Sequence, residues 1–163
     1  MPTLFWDASG LAKRYVPETG RATALALFVH APTPQMITIP WGYTETYALL
    51  LRKRNGGSLG SSSFAAATSA LRNDVIINPS FRLLTVTDAA IIGSIAVIQK
   101  HNLNSTDAAL LTTFPRYAQL SSDPCVLIAA DQRLLRAAHA EGLAVINPET
   151  LPAPDVAAFL AAL

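Results

Sequence analysis

The chain has 163 residues, of which 51% are hydrophobic and 14% charged, and its formal net charge is +1. A chain of this length and apolar content can bury a substantial core, which excludes an intrinsically disordered protein. The small net charge excludes a strong overall attraction to nucleic acid, so any such contact must depend on local basic groups and metal ions. We predict one domain that covers residues 1–163.

Short apolar runs alternate with helical patterns along the whole chain. In chain order we predict a strand at 3–6, helices at 9–16 and 21–29, a strand at 36–39, helices at 41–54 and 61–73, a strand at 81–86, helices at 88–100 and from 105 (interrupted by Pro115), a strand at 125–129, a helix at 131–140, a strand at 143–146 and a short helix after 155. Strands separated by helices of this length predict a parallel sheet covered on both faces, which is the α/β class.

Neither a membrane span nor a disulfide is predicted. The most apolar internal stretch, residues 89–98, is shorter than the ~20 residues that cross a bilayer. The first ten residues lack the basic and long apolar segments of a secretory signal. The single cysteine, Cys125, has no intrachain partner. We therefore expect a cytoplasmic protein.

Four of the 11 acidic residues lie just after predicted strands or near predicted helix starts. Asp7 and Asp131 each follow an apolar strand closely. Asp107 lies at a predicted helix start, and Glu45 lies near the start of another helix. Because sites on such sheets form beyond the carboxyl ends of the strands, these side chains can converge. Clustered carboxylates repel one another unless a hard cation such as Mg²⁺ or Mn²⁺ lies among them, so the pattern indicates a metal site.

Four stretches of the chain, taken in order, resemble a known family. They are LFWDASGLAKRYVPETG, ITIPWGYTETYALLLRKR, HNLNSTDAALL and VLIAADQRLLRAAHAEGLAVINP. Together they resemble the PIN-domain nucleases, and in particular the VapC-type toxins of bacterial toxin–antitoxin pairs. The resemblance implies an α/β/α sandwich with a central, mostly parallel sheet of about five strands. It also implies a divalent-metal-dependent endoribonuclease.

The resemblance assigns a catalytic and metal-binding role to each of the four acids. Asp7 matches the family's first acid, in an Asp-x-Ser pattern whose hydroxyl residue, here Ser9, lies beside the metal. Glu45 matches the acid in the helix after the second strand, Asp107 the aspartate of an Asp-Ala pair at a helix start, and Asp131 the acid after the fourth strand. The implied reaction is hydrolysis of RNA phosphodiesters by a metal-activated water, with Mg²⁺ or Mn²⁺ as cofactor.

Each acid also has a purely structural explanation. Asp7, Asp107 and Asp131 stand where a helix N-cap is wanted, and aspartate is a good N-cap. Glu45 alone is typical of a solvated helix face. Four acids in the family's order, with the expected flanking residues, favour a shared metal site. One departure is that the family often has threonine two residues before the last acid, where this chain has Ala129, and this weakens the hydrogen bonding expected around Asp131.

Basic residues near the predicted site are candidates for contacts with RNA phosphates. We single out Lys13 and Arg14 on the first helix and Arg133 just beyond the last acid. Residues 52–54, Arg-Lys-Arg, close a helix, where cations favour the negative end of the helix dipole. The three histidines show no arrangement that suggests a metal-independent acid–base pair.

The resemblance implies three partners: an RNA substrate, a small antitoxin protein and a second copy of the chain in a homodimer. Other functions stay open, namely a PIN-like module that binds RNA or protein without cutting, and a PIN nuclease of RNA processing that is not a toxin. A small phosphatase on a similar sheet is disfavoured, because no Gly-rich phosphate loop and no Asp-x-Asp or Cys-x₅-Arg motif is present. Trp41 and Tyr43 could stack on a base or pack at a dimer contact.

Overall fold

A parallel sheet of five strands forms the centre of the computed structural model, which describes residues 1–163. The strands are β1 (Thr3–Trp6), β2 (Met36–Thr38), β3 (Arg82–Leu83), β4 (Cys125–Ile128) and β5 (Ala144–Ile146). Their spatial order is β3-β2-β1-β4-β5, and every neighbouring pair is parallel. The predicted α/β class and the sheet of about five strands are confirmed.

Eight α-helices connect and cover the strands. They are α1 (Ala8–Ala12), α2 (Arg21–His30), α3 (Pro40–Asn55), α4 (Ser61–Arg72), α5 (Asp88–His101), α6 (Ser105–Leu120), α7 (Gln132–Ala140) and α8 (Val156–Ala161). None of them combines the length and the apolar character needed to cross a membrane.

Both faces of the sheet are buried, as β1 shows. Its side chains alternate between two hydrophobic clusters, with Leu4 and Trp6 in one and Phe5 in the other. All three are fully buried. The first cluster includes Leu27 from α2, and the second includes Phe114 from α6. Helices therefore pack on both faces, which gives the α/β/α sandwich.

The strand order changes direction beside β1. The chain builds the sheet outward from β1 through β2 to β3, then crosses back to place β4 on the other side of β1. The register pairs Trp6 with Ile128, and the amide of Asp7 donates to the Ile128 carbonyl at 2.9 Å. Chain segments that leave β1 and β4 diverge here, which opens a crevice at the carboxyl edge of the sheet.

Several elements differ from the sequence prediction, and local contacts explain the differences. Helix α1 ends at Ala12 rather than at residue 16, because the amides of residues 13–15 bond carbonyls three positions back and tighten the chain. Strand β3 has two residues instead of six, since β2 ends at Thr38 and offers no backbone partner further along. Helix α6 continues through Pro115. Burial of Leu111 and Phe114 on that helix offsets the missing backbone bond.

Glycine at position 10 is required for the close approach of α1 to β4. A Cβ atom at Gly10 would lie 2.6 Å from the Ile128 carbonyl oxygen. We expect Gly10→Ala to destabilise the protein by about 1–3 kcal/mol, because the backbone has to shift. The matched control is Gly93→Ala on α5, where a Cβ would meet only Thr112 at 4.0 Å and should stabilise the helix slightly. Urea denaturation of both variants measures the difference, and an unchanged midpoint for Gly10→Ala would contradict the expected clash.

Candidate metal centre

The four predicted acids lie together around one cavity at the carboxyl edge of the sheet. The cavity measures about 220 Å³ and is lined by Asp7, Glu45, Asp107 and Asp131 with Ala8, Ser9, Ala48, Leu49, Arg52 and Asn104. The structure thus brings together residues separated by up to 124 positions in the sequence (131 − 7). Their catalytic roles stay predictions.

Asp7 is the residue that joins β1 to α1, and it is nearly fully buried. Its Oδ2 atom accepts from the amide of Ser9 at 2.9 Å and from the Ser9 hydroxyl. Asp7 is therefore the N-cap of α1. Oδ2 accepts both of these bonds, and Oδ1 accepts neither.

Ser9 links the first and the last of the four acids, Asp7 and Asp131. Its oxygen donates its proton to Asp7 and accepts from the amides of Ala130 at 2.9 Å and Asp131 at 3.1 Å. These three bonds use the full capacity of a hydroxyl group. Ser9 thereby supplies, near Asp131, hydrogen bonding that Ala129 cannot provide from its side chain.

Asp131 is the N-cap of α7. Its Oδ1 atom accepts from the amides of Arg133 at 2.8 Å and Leu134 at 3.0 Å. The side chain is exposed at the mouth of the cavity, in contrast to the buried Asp7. Its Oδ2 atom takes no part in the cap.

Asp107 is held by a residue that sequence reasoning missed. Asn104, the N-cap of α6, accepts from the Asp107 amide at 2.9 Å and donates its own side-chain amide to Asp107 Oδ2 at 2.8 Å. This reciprocal pair is a variant of the capping box. The signal was available as an Asn-x-x-Asp spacing before an apolar run.

Electrostatic repulsion inside the cavity affects the pKa of Asp107. Burial, together with the charges of Asp7, Asp131 and Glu45, raises its pKa to about 7, while the hydrogen bond from Asn104 opposes the rise. Burial likewise raises the pKa of Asp7, to which the Asp131 charge contributes. The carboxylates of the cavity outnumber its one basic residue, Arg52, and a cation would relieve their repulsion.

Glu45 lies in the second turn of α3 and is partly buried. Burial raises its pKa, and the charge of Asp7 adds to this rise. The neighbouring Thr106 hydroxyl on α6 and the Arg52 guanidinium lower the pKa and oppose the rise. Glu45 is therefore a carboxylate poised to take up a proton more readily than an ordinary glutamate.

The donor set fits a hard divalent cation by its chemistry. All four acids offer carboxylate oxygens, which Mg²⁺ and Mn²⁺ prefer. As the side chains stand, no three acidic, histidine or cysteine residues form a group that could hold a metal ion. Each of the three aspartates has one oxygen committed to a helix-end hydrogen bond. Joint ligation therefore requires side-chain movement or intervening waters, which Mg²⁺ retains readily.

The three basic residues predicted to contact RNA have different surroundings. Lys13 is buried, and its ammonium forms salt bridges with Glu18 and Glu149. Arg14 bonds Asp74 at 2.7 Å and lies over the ring of Phe28. Arg133 is exposed at the start of α7 and forms no salt bridge. The charges of Lys13 and Arg14 are thus already neutralised within the protein.

Comparison with solved structures identifies the fold. The chain is similar to PAE2754 from Pyrobaculum aerophilum (TM-score 0.61, 19% identity, 99% of this chain and 97% of that one). It is similar to Mycobacterium tuberculosis VapC20, described as a sarcin–ricin loop cleaving toxin (0.63, 20%, 91% and 99%). It is also similar to FitAcB from Neisseria gonorrhoeae (0.61, 15%, 91% and 99%).

No family model and no curated protein matches the sequence. The structural matches extend over nearly the full length of the chain, and their identities of 15–20% establish the fold alone. The protein therefore has the PIN-like α/β fold of these structures, and the resemblance to PIN-domain VapC toxins is confirmed at that level.

Removing the Ser9 hydroxyl tests whether it organises the cavity. Ser9→Ala leaves the amides of Ala130 and Asp131 and the carboxylate of Asp7 without their shared partner. We expect a loss of about 1–2 kcal/mol of folding stability and an affinity for Mn²⁺ lower by about tenfold or more. Denaturation and calorimetric titration measure these changes, with Ser9→Thr as the variant that keeps the hydroxyl. Equal Mn²⁺ affinities for the alanine variant and the wild type would exclude this organising role.

Proposed function

We propose that the protein is a divalent-metal-dependent endoribonuclease and the VapC-like toxin of a toxin–antitoxin pair, with residues 1–163 as one nuclease domain. The convergence of four carboxylates on one cavity, at the switch point of a PIN-like sheet, carries this proposal. The same fold occurs in a protein described as a toxin that cleaves the sarcin–ricin loop.

Each acid has a distinct part in the proposed reaction. When bound, Mg²⁺ or Mn²⁺ supplies a water of lowered pKa and positive charge beside the phosphate. Asp7, Asp107 and Asp131 provide the anionic oxygens that hold the ion, through the atoms left free by their helix-end bonds. Glu45 orients the attacking water or ligates through a water, and its raised pKa suits it to receive a proton at the carboxylate.

A cleavage assay with ligand variants tests the proposed activity. Asp7→Asn and Asp107→Asn should each abolish cleavage of RNA, because either change removes an anionic ligand. Both variants should fold at least as stably as the wild type, since the change relieves repulsion between buried carboxylates. The wild type should lose activity in EDTA and regain it with Mn²⁺. Near-wild-type cleavage by either variant would refute the ligand assignment, and a module that only binds RNA would show no cleavage at all.

The raised pKa of Asp107 predicts a pH-dependent stability in the metal-free protein. Its carboxyl keeps a proton up to about pH 7 when folded, compared with an ordinary value of 3.8. The stability from this group is therefore present below pH 3.8 and is lost as the pH rises from 3.8 to about 7.

Thermal unfolding in EDTA measures this loss. We expect the Tm of Asp107→Asn to exceed that of the wild type by a few degrees at pH 8 and to converge with it near pH 4. Asp88→Asn is the control, because Asp88 is exposed at the start of α5, away from the cavity. A constant difference between wild type and Asp107→Asn over this pH range would contradict the burial of a protonated carboxyl.

We also propose that the protein forms a homodimer through the apolar face of α5. Ile92 and Ile95 are exposed, and with Trp41 they line an apolar cleft of about 500 Å³. Exposed apolar side chains around a cleft are a common feature of protein–protein contacts. Thr106 belongs to this cleft and also neighbours Glu45, so the proposed interface adjoins the metal centre.

The proposed antitoxin is a small protein that covers the cavity and places a cation among the acids, since four carboxylates outnumber the single basic residue there. An adjacent gene for a small DNA-binding protein, whose product binds this chain and inhibits cleavage, tests the toxin role. Active cleavage without such a partner would favour a PIN nuclease of RNA processing.

A further inference from the structure

Arg52 is the single basic residue that lines the carboxylate cavity. It lies on α3 with Glu45, Ala48 and Leu49, which also line the cavity, at positions i+7, i, i+3 and i+4. This spacing places all four on one face of the helix. Arg52 is thus about 10 Å along the helix axis from Glu45, at the far end of the cavity wall.

The other two cations at the end of α3, Lys53 and Arg54, interact with neighbouring groups of the protein. Lys53 forms a salt bridge with Glu18. Arg54 bonds the side chain of Asn55 and lies over the Phe64 ring at 4.7 Å. Arg52 is exposed, and its side chain forms neither a salt bridge nor a hydrogen bond. Compensation of the helix dipole applies equally to all three cations, so it does not explain why Arg52 alone faces the cavity.

We infer that Arg52 binds a backbone phosphate of the RNA that flanks the scissile phosphate. This inference rests on the proposed nuclease function and adds a residue that fixes the position of the strand. A guanidinium can donate two parallel hydrogen bonds to a phosphate. The wall between Glu45 and Arg52 consists of Ala48 and Leu49, whose side chains offer the guanidinium no polar partner. Because Arg52 lies about 10 Å along the helix from Glu45, the phosphate that it binds lies beside the scissile phosphate.

A contact to a flanking phosphate is present both before and during the reaction. Such uniform binding lowers KM and leaves kcat unchanged. The role of Arg52 is therefore distinguishable from those of the four acids, whose loss should remove kcat.

The test compares Arg52→Ala, Arg52→Lys and the matched control Arg54→Ala in cleavage of a single-stranded RNA with Mn²⁺. Arg54 is on the same helix turn and has the same charge, but its side chain packs outside the cavity. We expect Arg52→Ala to raise KM by about tenfold and to leave kcat within about twofold of the wild type. Arg52→Lys should be intermediate, because lysine keeps the charge and loses the paired geometry.

Binding without cleavage gives a second readout. In the Asp7→Asn background with Mg²⁺, the affinity for labelled RNA is measured at several salt concentrations. Adding Arg52→Ala should reduce the slope of log affinity against log salt by about one, and adding Arg54→Ala should leave it unchanged.

The outcomes separate this inference from the proposed function. If the wild type cleaves and the two alanine variants have equal KM values, the role of Arg52 is refuted and the nuclease stands. A fall in kcat with KM unchanged also refutes it, because Arg52 would then act on the reacting phosphate or through Glu45, whose pKa it lowers. If the wild type cleaves no RNA in Mn²⁺, the proposed function fails and the inference fails with it.

Discussion

Parallel pairing of β1 with β4 is the constraint on which the site depends. The pairing sets Trp6 level with Ile128, so the chain leaves the sheet at the same height in both strands. Asp7 and Asp131 follow these ends. The Ser9 hydroxyl donates to the Asp7 carboxylate and accepts from the amides of Ala130 and Asp131. Glu45 and Asp107 then approach from α3 and α6 across the crevice. A one-residue slip would turn Trp6 out of its cluster, so burial of the core also fixes the site.

Helix capping and metal binding are compatible roles for the three aspartates. Each cap or helix-end bond uses one oxygen of a carboxylate, and the second oxygen still carries charge toward the cavity. Hydrogen bonds from Ser9 and Asn104 lower the pKa values that burial and repulsion raise. The helix-end hydrogen bonds therefore hold the aspartate side chains in place and partly offset the free-energy cost of burial and repulsion. The structural and the functional explanation of each residue describe different atoms of the same side chain.

The sequence predicted the elements and the convergence of the acids, because strands that alternate with helices have few arrangements. Strand order is decided by long-range packing, so only the structure shows that β4 lies beside β1. Lys13 was singled out only as a candidate for RNA contacts, because its partner Glu149 is 136 residues away and no local pattern marks that pair. The position of Arg52 at the cavity could not be predicted, because Arg52, Lys53 and Arg54 form a run of cations that is typical of a helix end. Asn104 was within reach of local rules through its spacing from Asp107.

The distribution of charge is compatible with the RNA site that we propose, although the protein is nearly neutral. Salt bridges to Glu18, Glu149 and Asp74 pair the cations that follow α1, Lys13 and Arg14, and Lys53 near the end of α3. The field at the carboxyl edge of the sheet is consequently set by four carboxylates and the guanidinium of Arg52. Such an edge repels phosphate until a divalent cation enters. In the proposed function, metal binding therefore precedes productive RNA binding, because the carboxylates repel the RNA phosphates until the ion is bound.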